Sequence, residues 1–182
     1  AVIYDLDKVL GGKMSSAIPE SRIPKEVLDT ELKRVKEVLP HIHLQQPLTR
    51  EEFVQLTNDY DYVVLAAGAQ KPRILPVPGK EHLVPALTFL QEAKKGEAMV
   101  GKRVVIIGAG NVGCDVATEA HRLGAEDITL IDIQKPAAFG AEKEDAEAVG
   151  ATFKWPCFTK EITEEGVVLT TGELLPADTV IV

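Results

Sequence analysis

The chain has 182 residues, 45% of them hydrophobic, and a formal net charge of −8 at pH 7. That composition is ordinary for a globular protein with one good-sized core or two small ones, and the acidic balance argues against a nucleic-acid partner, which needs a basic face. The longest apolar runs, Val63–Ala67 and Val104–Ile107, are strand-sized and far short of the ~18 to 20 residues of a membrane helix; with no signal-peptide pattern, the expected location is the cytoplasm.

In chain order, the apolar spacing predicts a strand at Val2–Tyr4 and a loop through Gly11 and Gly12, followed by a helix opened by Pro24, a residue that costs no hydrogen bond in the first turn. Val27, Leu28, Leu32, Val35 and Leu39 recur at three- and four-residue steps until Pro40 ends the run. A short strand around Ile42–Leu44 follows, then a helix capped by Thr49 with Glu51 and Glu52 in its first turn. The run Tyr62–Ala66 reads as a buried strand ended by Ala67-Gly68, and Pro72, Pro76, Pro78 and Gly79 make a stiff connector.

A helix over Ala86–Lys95 leads to Gly96 and Gly101, and a second unit then begins. Its pattern is strand 103–107, helix 111–123 stopped by Gly124, strand 128–132, helix 141–149 stopped by Gly150, and strand 152–155. Such alternation argues for an α/β fold with a Rossmann-like parallel sheet covered on both faces. Beyond Trp155 short strands alternate around Glu165-Gly166 and Thr171-Gly172, a hairpin or meander pattern, before a last strand at Val180–Val182. The implied division is a partial first unit with its connector over 1–80 and a nucleotide-binding unit over 81–182. Because the chain opens and closes inside strand patterns, it reads as a piece of a longer protein.

The stretch with most chemical content is Gly108-Ala109-Gly110-Asn111-Val112-Gly113, lying between strand 103–107 and helix 111–123. In a Gly-x-Gly-x-x-Gly turn the first glycine makes the tight turn, the second admits a pyrophosphate to the backbone, and the third lets helix and strand pack closely. The helix N-terminus adds free N–H groups and a positive dipole end. Asp132, closing the next strand about 20 residues on, completes a dinucleotide-binding fingerprint. A carboxylate there accepts a bond from a ribose 2′-OH and repels a 2′-phosphate, so NAD(H) is expected over NADP(H), with Lys135 as the opposing charge.

Other chemistry-bearing residues carry less. Cys114 and Cys157 form no Cys-x-x-Cys and read as reduced packing residues. His41 and His43 lack ligand spacing; Tyr4 and Lys8 match a Tyr-x-x-x-Lys pair at the wrong place in the fold. The cluster Glu142–Glu147 reads as the wet face of a helix, while Asp115 is open between capping, a buried hydrogen bond and a cofactor contact. No metal site and no catalytic side chain is expected.

One resemblance covers essentially the whole chain. Val2-Ile3-Tyr4-Asp5 with Gly11-Gly12, Ile18-Pro19-Glu20-Ser21-Arg22-Ile23-Pro24-Lys25-Glu26-Val27, Ala66-Ala67-Gly68-Ala69 with Pro72-Arg73 and Pro78-Gly79, and Gly108-Ala109-Gly110-Asn111 with Asp115 together resemble the glutamate synthase small-subunit-like flavoproteins. These are FAD- and NAD(P)-dependent oxidoreductases of the pyridine nucleotide-disulfide oxidoreductase superfamily. The resemblance implies electron transfer from NAD(P)H through FAD to iron–sulfur centres or a large partner subunit, performed by the full-length parent and not by this fragment alone. It implies that Asp5 meets the FAD adenosine ribose, that Gly11 and Gly12 pass close to the FAD, and that Gly68 ends the strand returning beside it. In NADPH-using members arginines follow the second strand, whereas here the strand runs Leu130-Ile131-Asp132-Ile133-Gln134. The alternative is a non-catalytic, NAD(H)-responsive binding or regulatory module.

Overall fold

The computed structural model describes every residue except Arg73. It divides into two compact units, Ala1–Lys71 and Pro72–Val182.

The first unit contains β1 (Val2–Tyr4), α1 (Lys13–Ser16), α2 (Lys25–Val38), β2 (His41–His43) and α3 (Arg50–Asp59). β1 and β2 are parallel with Val2 opposite His41 and Tyr4 opposite His43, a pairing that the helical crossover between them makes possible. The Tyr4 ring stacks on His43 with centroids 4.9 Å apart, which gives His43 a packing role. α3 starts at a capping box: the Thr49 hydroxyl accepts from the Glu52 N–H at 3.2 Å and the Glu52 carboxylate accepts from the Thr49 N–H at 2.7 Å. The buried core of this unit is small and centres on Leu10, Ala17 and Leu28.

One expected element does not form. Tyr62–Ala66 joins no ladder, and Tyr62, Val64 and Leu65 are 91%, 87% and 76% exposed. Strand propensity reports how well side chains fit a pleated surface, not an intrinsic backbone state. Among the described residues β1 and β2 pair only with each other, so this run has no neighbour to supply hydrogen bonds, and Gly68 ends no strand.

The second unit runs from a 3₁₀ turn at Lys80–His82 through β3 (Leu83–Val84), α4 (Ala86–Lys95), β4 (Arg103–Ile107), α5 (Asn111–Arg122), β5 (Asp127–Ile131), α6 (Ala141–Ala148) and β6 (Thr152–Lys154). It continues with β7 (Thr159–Thr163), β8 (Gly166–Leu169), β9 (Leu174–Pro176) and β10 (Thr179–Ile181). Five strands form a parallel sheet ordered β3-β10-β4-β5-β6, and β7-β8-β9 form an antiparallel meander. The connector belongs to this unit: Val77 packs on its core, and the Pro78 carbonyl accepts from the Ile162 N–H at 2.9 Å.

The two faces of the sheet are covered differently. Val105, Ile131 and Val180 pack with Ile162, Val167, Leu169, Leu175 and Ala177, so the meander closes one face. Val104, Ile106, Ile128 and Leu130 alternate with that set and are also buried; the period of two turns them to the other face, where α5 lies against β4 and β5 with Cys114, Val116, Ala117 and Ala120 buried. α4 is tied to α5 by Arg122, which pairs with Glu119 at 2.6 Å and donates to the Ala93 carbonyl at 3.3 Å. At the amino ends of β4 and β10 Asp178 accepts from the Arg103 N–H at 2.9 Å and from its guanidinium, and the Arg103 hydrogen bonds hold the Asp178 carboxyl down at about 2. This lock is at the opposite end of the strands from the glycine turn.

Candidate functional site

β4 ends at Ile107, and the chain turns into α5 within three residues. Gly108 sits at φ +117°, a conformation that costs other residues a strain glycine does not incur, and its N–H reaches the Ile131 carbonyl at 2.8 Å. A Cβ on Gly113 would lie 2.2 Å from the Gly108 carbonyl oxygen; here glycine is required by the close approach of helix to turn. Gly110 differs from both. Its φ of −94° and ψ of −178° are extended and open to any residue, and among the described residues no atom beyond its chain neighbours lies within 4 Å of where its Cβ would be.

Gly110 is the N-cap of α5 and brings no side chain to its N–H groups. The first intrahelical bond is from Cys114 to the Gly110 carbonyl, so the N–H groups of the first turn lack helical acceptors and concentrate partial positive charge. The empty volume over Gly110 therefore adjoins an electropositive backbone at the carboxyl end of β4. The strand order continues from β4 to β5 and β6 on one side and to β10 on the other, the reversal at which open α/β sheets leave a ligand crevice.

Asp132 follows β5 directly instead of ending it. Its carboxylate accepts from the Ala109 N–H at 2.9 Å and the Gln134 N–H at 3.2 Å. An ionised carboxylate offers about four acceptor positions, so two are left for a further donor. Its peptide groups are held from the other side: the Asp132 N–H donates to the Lys154 carbonyl at 3.1 Å and its carbonyl accepts from the Cys157 N–H at 2.8 Å.

The loop after Asp132 is pinned back onto the turn. The Ala138 N–H donates to the Ala109 carbonyl at 3.1 Å, and the Phe139 N–H donates to the Asn111 carboxamide oxygen at 3.1 Å. Asn111 thus uses its side chain as a latch for a segment nearly thirty residues downstream, a role that motif spacing does not reveal. Gly108, Ala109, Gly110, Asn111, Val112, Gly113 and Asp132 come together at the carboxyl ends of the adjacent inner strands β4 and β5.

The first-unit residues are placed separately. Asp5 follows β1 at its carboxyl end, and its carboxylate accepts from the Asp7 N–H at 2.9 Å. Gly11 and Gly12, at φ +104° and +51°, make the turn before α1. Gly68 lies in the run without a ladder, and Arg73, part of the resemblance motif, lies outside the described residues. Asp115 and Glu119 are buried on α5. Both cysteines are free thiols; burial, aided by the Asp115 charge, pushes Cys114 up to about 11, so it is no nucleophile near neutral pH. Among the described residues no three metal-ligating side chains gather, and no helix is long and apolar enough to cross a membrane.

Comparison with known proteins bears on the family and the fold. The family described as pyridine nucleotide-disulphide oxidoreductase matches residues 14–182. The chain is 30% identical over 161 residues to the NADP(+)-dependent formate dehydrogenase subunit beta of Moorella thermoacetica, covering 83% of this chain and 23% of that one. It is 30% identical over 151 residues to the glutamate synthase [NADPH] small chain of Mycobacterium tuberculosis, covering 72% of this chain and 30% of the relative. Among solved structures, a 2-naphthoyl-CoA reductase complex superposes with a TM-score of 0.76 at 18% identity, over 99% of this chain and 28% of the other; at that identity the likeness is one of fold. The chain spans less than a third of the length of these relatives.

Proposed function

The chain belongs to the pyridine nucleotide-disulphide oxidoreductase family, and from that premise we propose that Pro72–Val182 binds a nicotinamide dinucleotide at the carboxyl ends of β4 and β5. The carrying observation is Gly110, whose extended backbone does not require glycine and whose Cβ position is open among the described residues; its N-cap place favours a small polar residue as well as glycine, so the fold alone does not demand the bare backbone. A phosphate group needs that space. The pyrophosphate is assigned to the N-terminus of α5 over Gly108–Gly113, and the adenosine ribose to the free acceptor positions of Asp132. Because Asp132 is a carboxylate, we read the preference as NAD(H) over NADP(H), although the names of both relatives carry NADP.

In the whole protein this site delivers hydride to a flavin, which passes electrons to iron–sulfur centres or a partner subunit, as in a glutamate synthase small-subunit-like oxidoreductase. The hydride chemistry belongs to the cofactor; the chain's task is to hold and orient it. On this reading Asp5, Gly11, Gly12 and Gly68 serve the FAD. The first unit fits that group only in part, since it offers an acid at a strand end and glycine turns but no Gly-x-Gly-x-x-Gly phosphate turn.

Titration with NADH and NADPH, followed by reduced-nicotinamide fluorescence at moderate salt, tests the reading. Saturable NADH binding, tighter than NADPH, is expected. Absence of binding by either cofactor refutes the site, and tighter NADPH binding refutes the role given to Asp132. In the whole protein, bleaching of flavin absorbance by NADH separates an oxidoreductase from a regulatory module, in which the flavin stays oxidised with NADH bound.

A further inference from the structure

The chain has one tryptophan, Trp155, and it is 47% exposed. Trp is among the largest apolar side chains and usually buries most of its area, so a half-bare indole beside a candidate site calls for an account. Trp155 follows β6, the edge strand next to β5. The Asp132 N–H is held by the Lys154 carbonyl at 3.1 Å and the Asp132 carbonyl by the Cys157 N–H at 2.8 Å. Trp155 and Pro156 are therefore the two residues looped out between bonds that both end on Asp132.

This loop fixes the backbone of Trp155 relative to the rest of the site. The carboxylate of Asp132 is bonded to the glycine turn through Ala109, while its peptide groups are bonded to the loop carrying Trp155. A dinucleotide with its pyrophosphate on α5 and its ribose on Asp132 runs from β4 toward β5. The base attached to that ribose continues in the same direction, toward β6, where Trp155 offers an exposed aromatic surface, the larger of the two with Phe158. Ile133, the residue after Asp132, is also exposed there, at 61%.

We propose that Trp155 is the stacking platform for the purine base of the dinucleotide, which makes it a binding residue for the adenine half. The assignment rests on the dinucleotide reading given above. Stacking suits the position because it needs only a flat apolar face, and aromatic platforms of this kind contribute on the order of tenfold or more in affinity per base.

Because Trp155 is the sole tryptophan, its emission reports this subsite alone. The full chain is titrated with ADP-ribose, which carries adenine without nicotinamide, and with nicotinamide mononucleotide, which carries the reverse. ADP-ribose is expected to change the indole emission saturably, and nicotinamide mononucleotide to leave it unchanged. Calorimetry is expected to give about a tenfold loss of ADP-ribose affinity in Trp155→Leu and a smaller loss in Trp155→Phe, with melting temperatures near wild type for both. NADH binding with no change in indole emission, or Trp155→Leu binding ADP-ribose as tightly as wild type, overturns the platform and leaves the dinucleotide site standing. If wild type binds neither NADH nor ADP-ribose by calorimetry, both readings fall together.

Discussion

Substituting alanine at Gly110 and at Gly113 separates a glycine kept for a ligand from one kept for packing. At Gly113 the new methyl would lie 2.2 Å from the Gly108 carbonyl oxygen and 3.4 Å from the Leu130 side chain. An ordinary contact needs about an ångström more, so α5 must lift from the turn, and such overpacking costs about 1–3 kcal/mol. Alanine's better helix propensity returns up to about 1 kcal/mol. Because the clash is with backbone, which gives little, the overpacking cost belongs near the upper end of its range. A net loss of about 2 kcal/mol, at about 4–8 °C per kcal/mol for a small domain, lowers the melting temperature by roughly 8–16 °C. At Gly110 the backbone is already one alanine adopts, and among the described residues no atom beyond its chain neighbours lies within 4 Å of the new methyl, so the only cost to stability is that of alanine for glycine at an N-cap, about 0.5–1 kcal/mol. The cost appears on binding instead. A methyl in the phosphate space removes charge-assisted hydrogen bonds of about 1.5–3 kcal/mol, equivalent to roughly a tenfold to hundredfold loss of affinity. Thermal melting paired with NADH fluorescence titration reads both quantities. Gly110→Ala binding NADH like wild type, or melting as low as Gly113→Ala, would refute the reasoning.

Two further outcomes concern the lock and the latch. Asp178 has its carboxyl held down at about 2 by Arg103, so its contribution is present above the unfolded carboxylate range near about 3.9 and is lost as pH falls through about 2. Asp178→Asn should lower the melting temperature modestly at neutral pH, since the pair is partly exposed and screened, and should show a shallower decline than wild type between those two values; identical pH profiles would contradict it. Asn111→Ala removes the acceptor for the Phe139 N–H, and amide exchange at Phe139 should quicken by roughly twofold to tenfold, the equivalent of one hydrogen bond. Unchanged exchange there would show that Asn111 does not hold the loop.

The second unit was legible where its signals are local. α4 begins at Ala86 and ends at Lys95, and β4 spans Arg103–Ile107, as periodicity and flanking glycines predict. The turns at Glu165-Gly166 and Thr171-Gly172 separate strands as their glycines suggest. Failures came where structure depends on a distant partner. Tyr62–Ala66 has the apolar content of a strand, but content cannot supply a ladder. Leu83–Val84 lacks the length for a pattern and is a strand only because Val180 and Ile181 lie beside it. The glycines and Asp132 could be read from spacing; the use of the Asn111 side chain and the looping out of Trp155 could not, since both depend on hydrogen bonds across elements.

Asp132 joins these observations. Its sequence position suggests an acceptor for a ribose hydroxyl, yet in the folded chain it already holds the Ala109 and Gln134 N–H groups. On the proposed reading this double use sharpens selectivity. A ribose hydroxyl meets a carboxylate already oriented, so little freedom is lost on binding. A 2′-phosphate meets the same charge, and the carboxylate cannot swing aside without leaving the Ala109 N–H unsatisfied, at a cost of about 1–3 kcal/mol. That N–H belongs to the turn assigned to the pyrophosphate, so moving Asp132 to admit the wrong cofactor also disturbs the phosphate site. Discrimination then comes from rigidity as well as charge repulsion, and salt, which screens only the charge, removes only part of it.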